Sequence, residues 1–213
     1  FKNKKNKNKK VLIIYLKYYE EIANELKKKY PNEEFYLIKS DDYDSQIKEI
    51  LHVDLSIKKY LRLSELDKII ELSHSPRIRN DISSIYFLLN YDSGKTIVPI
   101  FRNYALNINY FSTTEIFHTA SDIKKLIDFE DTFIPITNKM IFNISNKKVT
   151  SIKDEIENTL IKDFLTVEKI YQNNLFKNNI IPDSGNLKIK KNSCINRNLN
   201  LWKVSTNNLN DQV

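Results

Sequence analysis

Three aspartates, Asp41, Asp42 and Asp44, follow an apolar segment and have the type and spacing that best suit metal chemistry. Carboxylates at the end of a strand can hold a divalent cation against nucleotide phosphates, as a metal-dependent nucleotide-sugar transferase requires. The same residues also suit a helix start, where Asp44 would cap a helix beginning near Ser45 and the others would lie near its positive end. The helix start is the favoured interpretation, so we expect no metal site and no catalytic residue.

The other reactive side chains form no catalytic pattern. Cys194 is the only cysteine, which excludes an internal disulfide, a zinc site with several cysteines and Cys-x-x-Cys redox chemistry. Gly94-Lys95-Thr96 matches the end of a phosphate-binding loop, but Leu89 stands where that loop needs its first glycine. Because the chain has two glycines, a glycine-rich dinucleotide loop is impossible. We therefore expect no cofactor.

The histidines also give no site. His52, His74 and His118 have no ligand spacing, and the sequence alone joins none of them to a serine, cysteine or aspartate. Each is interpreted as a surface or packed residue. A helix-turn-helix over residues 56–72 is an alternative, but that segment lacks a turn glycine and its charges are mixed.

Positive charge is concentrated at the two ends of the sequence. The net charge is +7, of which residues 1–10 carry +6 and residues 177–213 carry +4, so the body is left with −3. A mildly acidic body with basic ends is a common footprint of nucleic-acid binding, although solvated tails give the same pattern. The 41% hydrophobic content predicts a real core, and no apolar run is long enough to cross a bilayer.

The first third of the chain reads as a strand, a helix and a strand. Residues 11–16 form a continuous apolar run, residues 18–30 have apolar positions at helical spacing, and residues 34–38 form a second apolar run. Pro31 ends the helix. This order predicts a parallel βαβ unit.

A hairpin is predicted for residues 82–100. Two apolar runs, residues 85–89 and 96–100, flank an Asp-Ser-Gly turn in which Gly94 would supply the positive φ. Between the βαβ unit and the hairpin, residues 41–75 read as a helical insertion, with a capping box at Ser64-Glu65-Leu66-Asp67 opening its second helix. A further helix is expected over residues 122–129.

These elements give an α/β fold with a thioredoxin-like β-α-β-β-β-α core. The predicted divisions are a basic arm at 1–10, the core at 11–130 with its insertion at 41–75, and a C-terminal extension at 131–213. In that extension we expect a strand at 139–144, a long helix at 151–172 and a basic tail anchored by residues 199–204. On that helix, one apolar stripe is predicted to contain Ile152, Ile156, Leu160, Phe164, Val167 and Tyr171.

Four segments resemble the thioredoxin-like family shared by two mitochondrial ribosomal proteins and a small accessory subunit of respiratory complex I. They are VLIIYL, which lacks redox cysteines, KKKYPNEEFYLI, SPRIRNDISSIYFLLNYDSGKTIVPI and TASDIKKLIDF. The positions that match the family are Tyr30-Pro31-Asn32, Pro76-Arg77 with Arg79, and Tyr91-Asp92-Ser93-Gly94. The resemblance covers residues 11–40 and 75–130 and does not cover the insertion or the C-terminal extension.

The resemblance and the basic ends together predict a non-catalytic structural protein of a mitochondrial ribosome, in the mitochondrial matrix. Its partners would be rRNA and neighbouring proteins of the assembly, with no membrane span and no small-molecule substrate. Lysines bind the phosphate backbone without sequence preference by releasing counterions. The residues expected to bind RNA are Lys2, Lys4, Lys5, Lys7, Lys9, Lys10, Arg77, Arg79, Lys188, Lys190, Lys191 and Arg197.

Two alternatives stay open at this point. The same family resemblance allows an accessory subunit of a mitochondrial respiratory complex, whose basic ends would bind protein or lipid head groups. The aspartates allow the metal-dependent transferase.

Overall fold

The computed structural model describes residues 9–39, 42–66, 74–117, 123–137, 152–173, 186–189, 195–205 and 209–212. The chain divides into two compact units. Unit 1 contains residues 1–89 and 93–111, and unit 2 contains residues 90–92 and 112–213. Helices and strands occur in both, so the fold is α/β.

One or two helices follow each of the first three strands of unit 1. Its elements are β1 (Lys10–Leu16), α1 (Glu20–Lys29), β2 (Glu34–Ile38), α2 (Tyr43–Ile50), α3 (Val53–Leu66), β3 (Ile82–Leu88), α4 (Tyr91–Tyr104) and β4 (Asn109–Ser112), which ends where unit 2 begins. A short 3-10 turn, Lys17–Tyr19, leads into α1.

The first strand is the centre of the sheet in unit 1. It pairs in parallel with β2, where Ile13 lies opposite Phe35, and in parallel with β3, where Ile13 lies opposite Tyr86. The strand order is β2-β1-β3-β4. The predicted parallel βαβ unit is confirmed, and the predicted bounds of β2 agree with the structure.

Helices pack on both faces of this sheet. Ile13 and Leu88 pack with Tyr19 and Ala23 on the side of α1. Successive strand residues point to opposite faces, so Phe87 faces away from α1; its ring lies 5.5 Å from that of Phe101 in α4. The sheet is therefore a middle layer between helices, which accounts for the continuous apolar runs of β1 and β3.

The predicted hairpin is wrong. Residues 82–88 form β3, but residues 91–104, including Gly94 and the expected second strand, form helix α4. Gly94, Ile97, Val98 and Phe101 are all buried, at the i, i+3, i+4, i+7 spacing of a helix face. Burial of this face outweighs the β preference of Thr-Ile-Val and the missing N–H of Pro99.

The predicted insertion is also built differently. A first helix is present as α2, but the second, α3, begins eleven residues before the predicted capping box and is continuous through it. Ser64 lies in its last turn, where its hydroxyl donates to the Leu61 carbonyl at 2.8 Å. The capping box is therefore wrong, and the helix-turn-helix alternative has no turn within residues 56–66. Residues 67–73 lie outside the described part of the chain.

Unit 2 contains a mostly antiparallel set of strands and one long helix. Its elements are β5 (Thr132–Ile136), α5 (Ile152–Gln172), β6 (Asn186–Ile189), β7 (Ile195–Asn198), β8 (Asn200–Val204) and β9 (Leu209–Gln212), together with 3-10 segments at Thr114–Phe117 and Ile123–Phe129. Strand β8 pairs antiparallel with β5 and with β9, and β6 pairs antiparallel with β7.

Several C-terminal predictions can be compared with unit 2. The long helix and the anchor near residues 199–204 are confirmed as α5 and β8. Of the predicted stripe, Phe164 is 68% exposed, whereas Ile170, which lies outside that stripe, is buried. The predicted strand at residues 139–144, Cys194 and His118 lie outside the described residues. Among the described helices, none combines the length and apolarity that spanning a membrane requires.

Candidate binding groove

Two of the three aspartates that suggested a metal site, Asp42 and Asp44, have structural partners instead. Asp42 caps α2, its Oδ1 accepting from the Ser45 amide at 3.2 Å, and Asp44 lies in the first turn of that helix. Asp44 accepts hydrogen bonds from Lys48 at 2.6 Å and from the Tyr104 hydroxyl at 2.8 Å, and these bonds lower its pKa. Asp41 lies outside the described residues. Within the described part of the chain, no group of three or more histidine, cysteine and acidic side chains could hold a metal.

A charged cluster lies at the amino ends of the three parallel strands. We call it the amino-end cluster; its members are Lys10, Glu34, Tyr36, Arg79 and Asp81. The Arg79 guanidinium donates two hydrogen bonds to Glu34, at 2.7 and 2.9 Å, and its Nε donates to Asp81 at 2.7 Å. Lys10 Nζ and the Tyr36 hydroxyl also donate to Glu34, at 2.6 and 2.8 Å. Two cations and two carboxylates make the cluster neutral.

These contacts shift the pKa values of the two cations and the two carboxylates in the directions that keep them charged. The hydrogen bond from Arg79 is the main cause that lowers the pKa of Glu34 to about 2, with Lys10 and Tyr36 adding to it against the effect of burial. The pKa of Asp81 is lowered mainly by Arg79, and the pKa of Arg79 is raised by Asp81 and Glu34. The cluster therefore connects the first residues of β1 and β2 to the segment that precedes β3.

Next to this cluster, the segment leading into β3 lies along the end of α2 and the start of α3 and is held there by four contacts. The Arg79 amide donates to the Leu51 carbonyl at 3.0 Å, and the Arg77 amide donates to Ser56 Oγ at 3.1 Å. The His74 ring stacks on Tyr60 with centroids 4.5 Å apart. His74 Nε2 also lies 3.2 Å from Ser56 Oγ.

A cavity of about 530 Å³ opens between α3 and this segment. We call it the α3 groove. Its polar lining consists of His52, Ser56, Lys59, Tyr60, His74, Arg77 and Arg79. Leu55, Leu63 and Ile78 supply apolar walls, and none of the described lining residues is acidic. His52 adopts a φ of 59°, the left-handed conformation that ends α2 and lets α3 begin at the next residue.

The Ser56–His74 pair has the distance of a nucleophile and its base, but its surroundings suit a structural role. Ser56 Oγ already accepts a hydrogen bond from the Arg77 amide, and no carboxylate among the described residues contacts His74. A nucleophilic serine needs its base oriented by a third group. The pair therefore holds residues 74–77 against α3.

The predicted RNA-binding residues do not form one surface in the described structure. Lys10 and Arg79 belong to the neutral amino-end cluster. Arg77 and Arg79 both line the α3 groove, but Arg77 has no ion pair with a described residue. Lys9 is exposed. The positions Lys188 and Arg197 lie in β6 and β7. The remaining ones, Lys2, Lys4, Lys5, Lys7, Lys190 and Lys191, lie outside the described residues.

Sequence reasoning missed Ser56, Lys59, Tyr60 and Arg62 as members of this region. One signal was present: Leu55, Lys59, Arg62 and Leu66 recur at i, i+4, i+7 and i+11, which places them in one stripe of a helix. The meeting of His74 with Ser56 and Tyr60 depends on the path of the chain after α3, and no local pattern encodes it.

Comparisons with known proteins identify the fold. No family model and no curated protein sequence matches this chain. The C-domain of LpoA from Haemophilus influenzae, a regulator of PBP1A, matches with a TM-score of 0.58 and 8% identity over 96% of this chain and 62% of that chain. Full-length LpoA from the same organism matches with a TM-score of 0.52 and 8% identity over 98% of this chain and 37% of that chain.

A putative branched-chain amino acid ABC transporter from Rhodospirillum rubrum also matches, with a TM-score of 0.56 and 8% identity over 98% of this chain and 62% of that chain. The chain thus spans less than two thirds of each of these structures. At such identities the matches show a shared fold.

These matches overturn the predicted function. The similar structures belong to bacterial regulator and transporter proteins, so assignment to a mitochondrial ribosome, with rRNA as partner and the mitochondrial matrix as location, is wrong. The two alternatives, a subunit of a respiratory complex and a nucleotide-sugar transferase, have no counterpart among these structures. The chain shares the fold of bacterial proteins that include LpoA and an ABC transporter protein.

Proposed function

We propose that this chain is a non-catalytic binding module of a bacterial envelope protein, and that it acts by docking on a protein partner. The shared fold with LpoA, a regulator of PBP1A, supports this class of function. The observation that carries the proposal is the composition of the α3 groove, in which exposed leucines lie beside Lys59 and Arg77, two cations with no ion-pair partner among the described residues. Such a surface suits recognition better than catalysis.

The absence of an enzymatic role is part of this proposal. Ser56 is the described residue closest to a catalytic arrangement, and its hydrogen bonds to Arg77 and His74 give it a structural task. Of the aspartates that could have bound a metal, Asp42 caps α2 and Asp44 pairs with Lys48.

The finer fold assignment also changes. For unit 1 we infer a doubly wound α/β sheet, because the order β2-β1-β3-β4 with helices after β1 and β3 is that of such sheets. The thioredoxin-like core stays a prediction, and it lacks the hairpin on which it depended.

Surface plasmon resonance with immobilised PBP1A from the organism that encodes this chain tests the proposed function. We expect saturable binding of the 213-residue chain, and no heat in calorimetric titrations with leucine, isoleucine or valine. The proposal is overturned if the chain binds a branched-chain amino acid and does not bind PBP1A.

A further inference from the structure

One stripe of α3 exposes leucine and basic side chains to solvent. It consists of Leu55, Lys59, Arg62 and Leu66, and we call it the α3 stripe. Leu55 and Leu66 are 53% and 82% exposed, and the neighbouring Leu63 is 57% exposed. A surface helix normally faces its leucines toward the core. In α3 the buried residue is Val53, at the start of the helix, and these three leucines are exposed.

The cations of this region have charge that no described residue balances. Lys59, Arg62 and Arg77 form no ion pair in the described structure, whereas Lys48 pairs with Asp44 at 2.6 Å on the preceding helix. The acidic residues of α3, Asp54 and Glu65, project about 90–110° around the helix from the centre of the stripe. The stripe and the α3 groove beside it therefore form one basic and apolar surface.

The dimensions of this surface suit a chain segment. From Leu55 to Leu66 the stripe extends about 16 Å at the rise of an α-helix, which is longer than a phosphate or a single head group needs. Grooves with apolar contacts repeated at helical spacing are typical of sites that bind an amphipathic helix. The cations require that the bound segment carry acidic groups.

We propose that the α3 stripe, together with Arg77, binds an acidic amphipathic helical segment of the protein partner; this rests on the proposed docking function. Leucine-like side chains of the segment contact Leu55, Leu63 and Leu66. Its carboxylates pair with Lys59, Arg62 and Arg77. Binding of this kind weakens as salt rises, because exposed charges are screened.

The probe for this site is an 18-residue fluorescein-labelled peptide of leucine and glutamate arranged as an amphipathic helix. Fluorescence anisotropy should show saturable binding to the chain, weaker at higher salt. The triple variant Lys59→Glu, Arg62→Glu, Arg77→Glu should bind the peptide about tenfold more weakly or worse. A matched variant with the same change of charge on α1, Lys27→Glu, Lys28→Glu, Lys29→Glu, should bind within about twofold of the unaltered chain.

Circular dichroism establishes that both variants are folded. The proposal is overturned if the peptide does not bind, if both variants lose affinity equally, or if phosphatidylglycerol vesicles or inorganic phosphate bind at the same residues more tightly than the peptide does.

The PBP1A measurement separates this proposal from the proposed function. If the unaltered chain and the α3 triple variant bind PBP1A equally, the docking function stands and the α3 stripe is not its site. If the chain binds the peptide through the stripe but does not bind PBP1A, the stripe stands and the proposed partner is wrong.

Discussion

The amino-end cluster and the α3 groove lie side by side in unit 1, and the arginine typical of each has a different electrostatic environment. Arg79 is 11% exposed and held between Glu34 and Asp81, so its charge is balanced inside the fold. Arg77, two residues earlier, is exposed and lines the α3 groove without an ion pair to a described residue. A basic residue therefore indicates a binding role only when the fold leaves its charge without a partner.

The largest expected effect is on the stability of an Arg79→Ala variant. This change leaves Glu34 and Asp81 without the guanidinium that joins β2 to the approach of β3, and should lower the free energy of unfolding by about 3 kcal/mol. Arg77→Ala should change it by less than about 0.5 kcal/mol. Urea denaturation of both variants measures the difference, and equal losses would contradict the contrast between the two regions.

The same cluster predicts acid sensitivity. The pKa of Glu34 is lowered to about 2 in the folded chain from 4.5, so its contribution is complete above pH about 4.5 and is lost as the pH falls toward 2. Allowing for solvent screening of this partly exposed group, the loss should be about 2 kcal/mol. Urea denaturation between pH 5 and pH 2 measures it.

Glu34→Gln is the control for this prediction. Since the glutamine cannot titrate, its stability should fall less steeply over the same pH range, although Asp81 still contributes a slope of the same sign. Parallel curves for the two proteins would show that Glu34 does not carry the effect.

A smaller effect is expected at the edge of the α3 groove. Ser56→Ala removes the acceptor for the Arg77 amide and the contact with His74, and should cost about 1 kcal/mol of unfolding free energy. Ser64→Ala, whose hydroxyl bonds within α3, is the matched control and should cost less. Hydrolysis of para-nitrophenyl acetate should be the same with and without Ser56; a loss confined to Ser56→Ala would indicate a catalytic serine.

The smallest stability effect is expected for the α3 stripe. Lys59→Ala and Arg62→Ala should each leave the unfolding free energy within about 0.5 kcal/mol of the original, because neither side chain has an ion-pair partner in the described structure. Thermal unfolding monitored by circular dichroism checks this. A loss of more than about 1 kcal/mol in either variant would mean that the charge is used inside the fold.

Local patterns predicted the elements in which the apolar residues recur with a single period along the segment. The runs of β1 and β2 and the stripe of α1 could be assigned because each has a single period. Residues 96–100 could not, because Thr-Ile-Val favours a strand locally while the burial of Ile97, Val98 and Phe101 requires a helix. The spacing of those buried residues was the available signal.

The candidate site was less accessible from sequence than the fold. Arg77 and Arg79 were predicted as equivalent, and they differ because Glu34, far away in sequence, reaches only Arg79. The contact of His74 with Ser56 and Tyr60 likewise joins residues that are not neighbours in sequence. Such pairings follow from the path of the chain between elements, which no periodic pattern encodes.

The central claim is that the basic charge left unpaired beside α3 is used to bind a protein. Its most direct test compares the affinity of immobilised PBP1A for Arg77→Glu and for Lys27→Glu, two exposed sites in unit 1 with the same change of charge. We expect Arg77→Glu to weaken binding by about fivefold or more, and Lys27→Glu to change it by less than about twofold. Equal affinities of the two variants would contradict the claim.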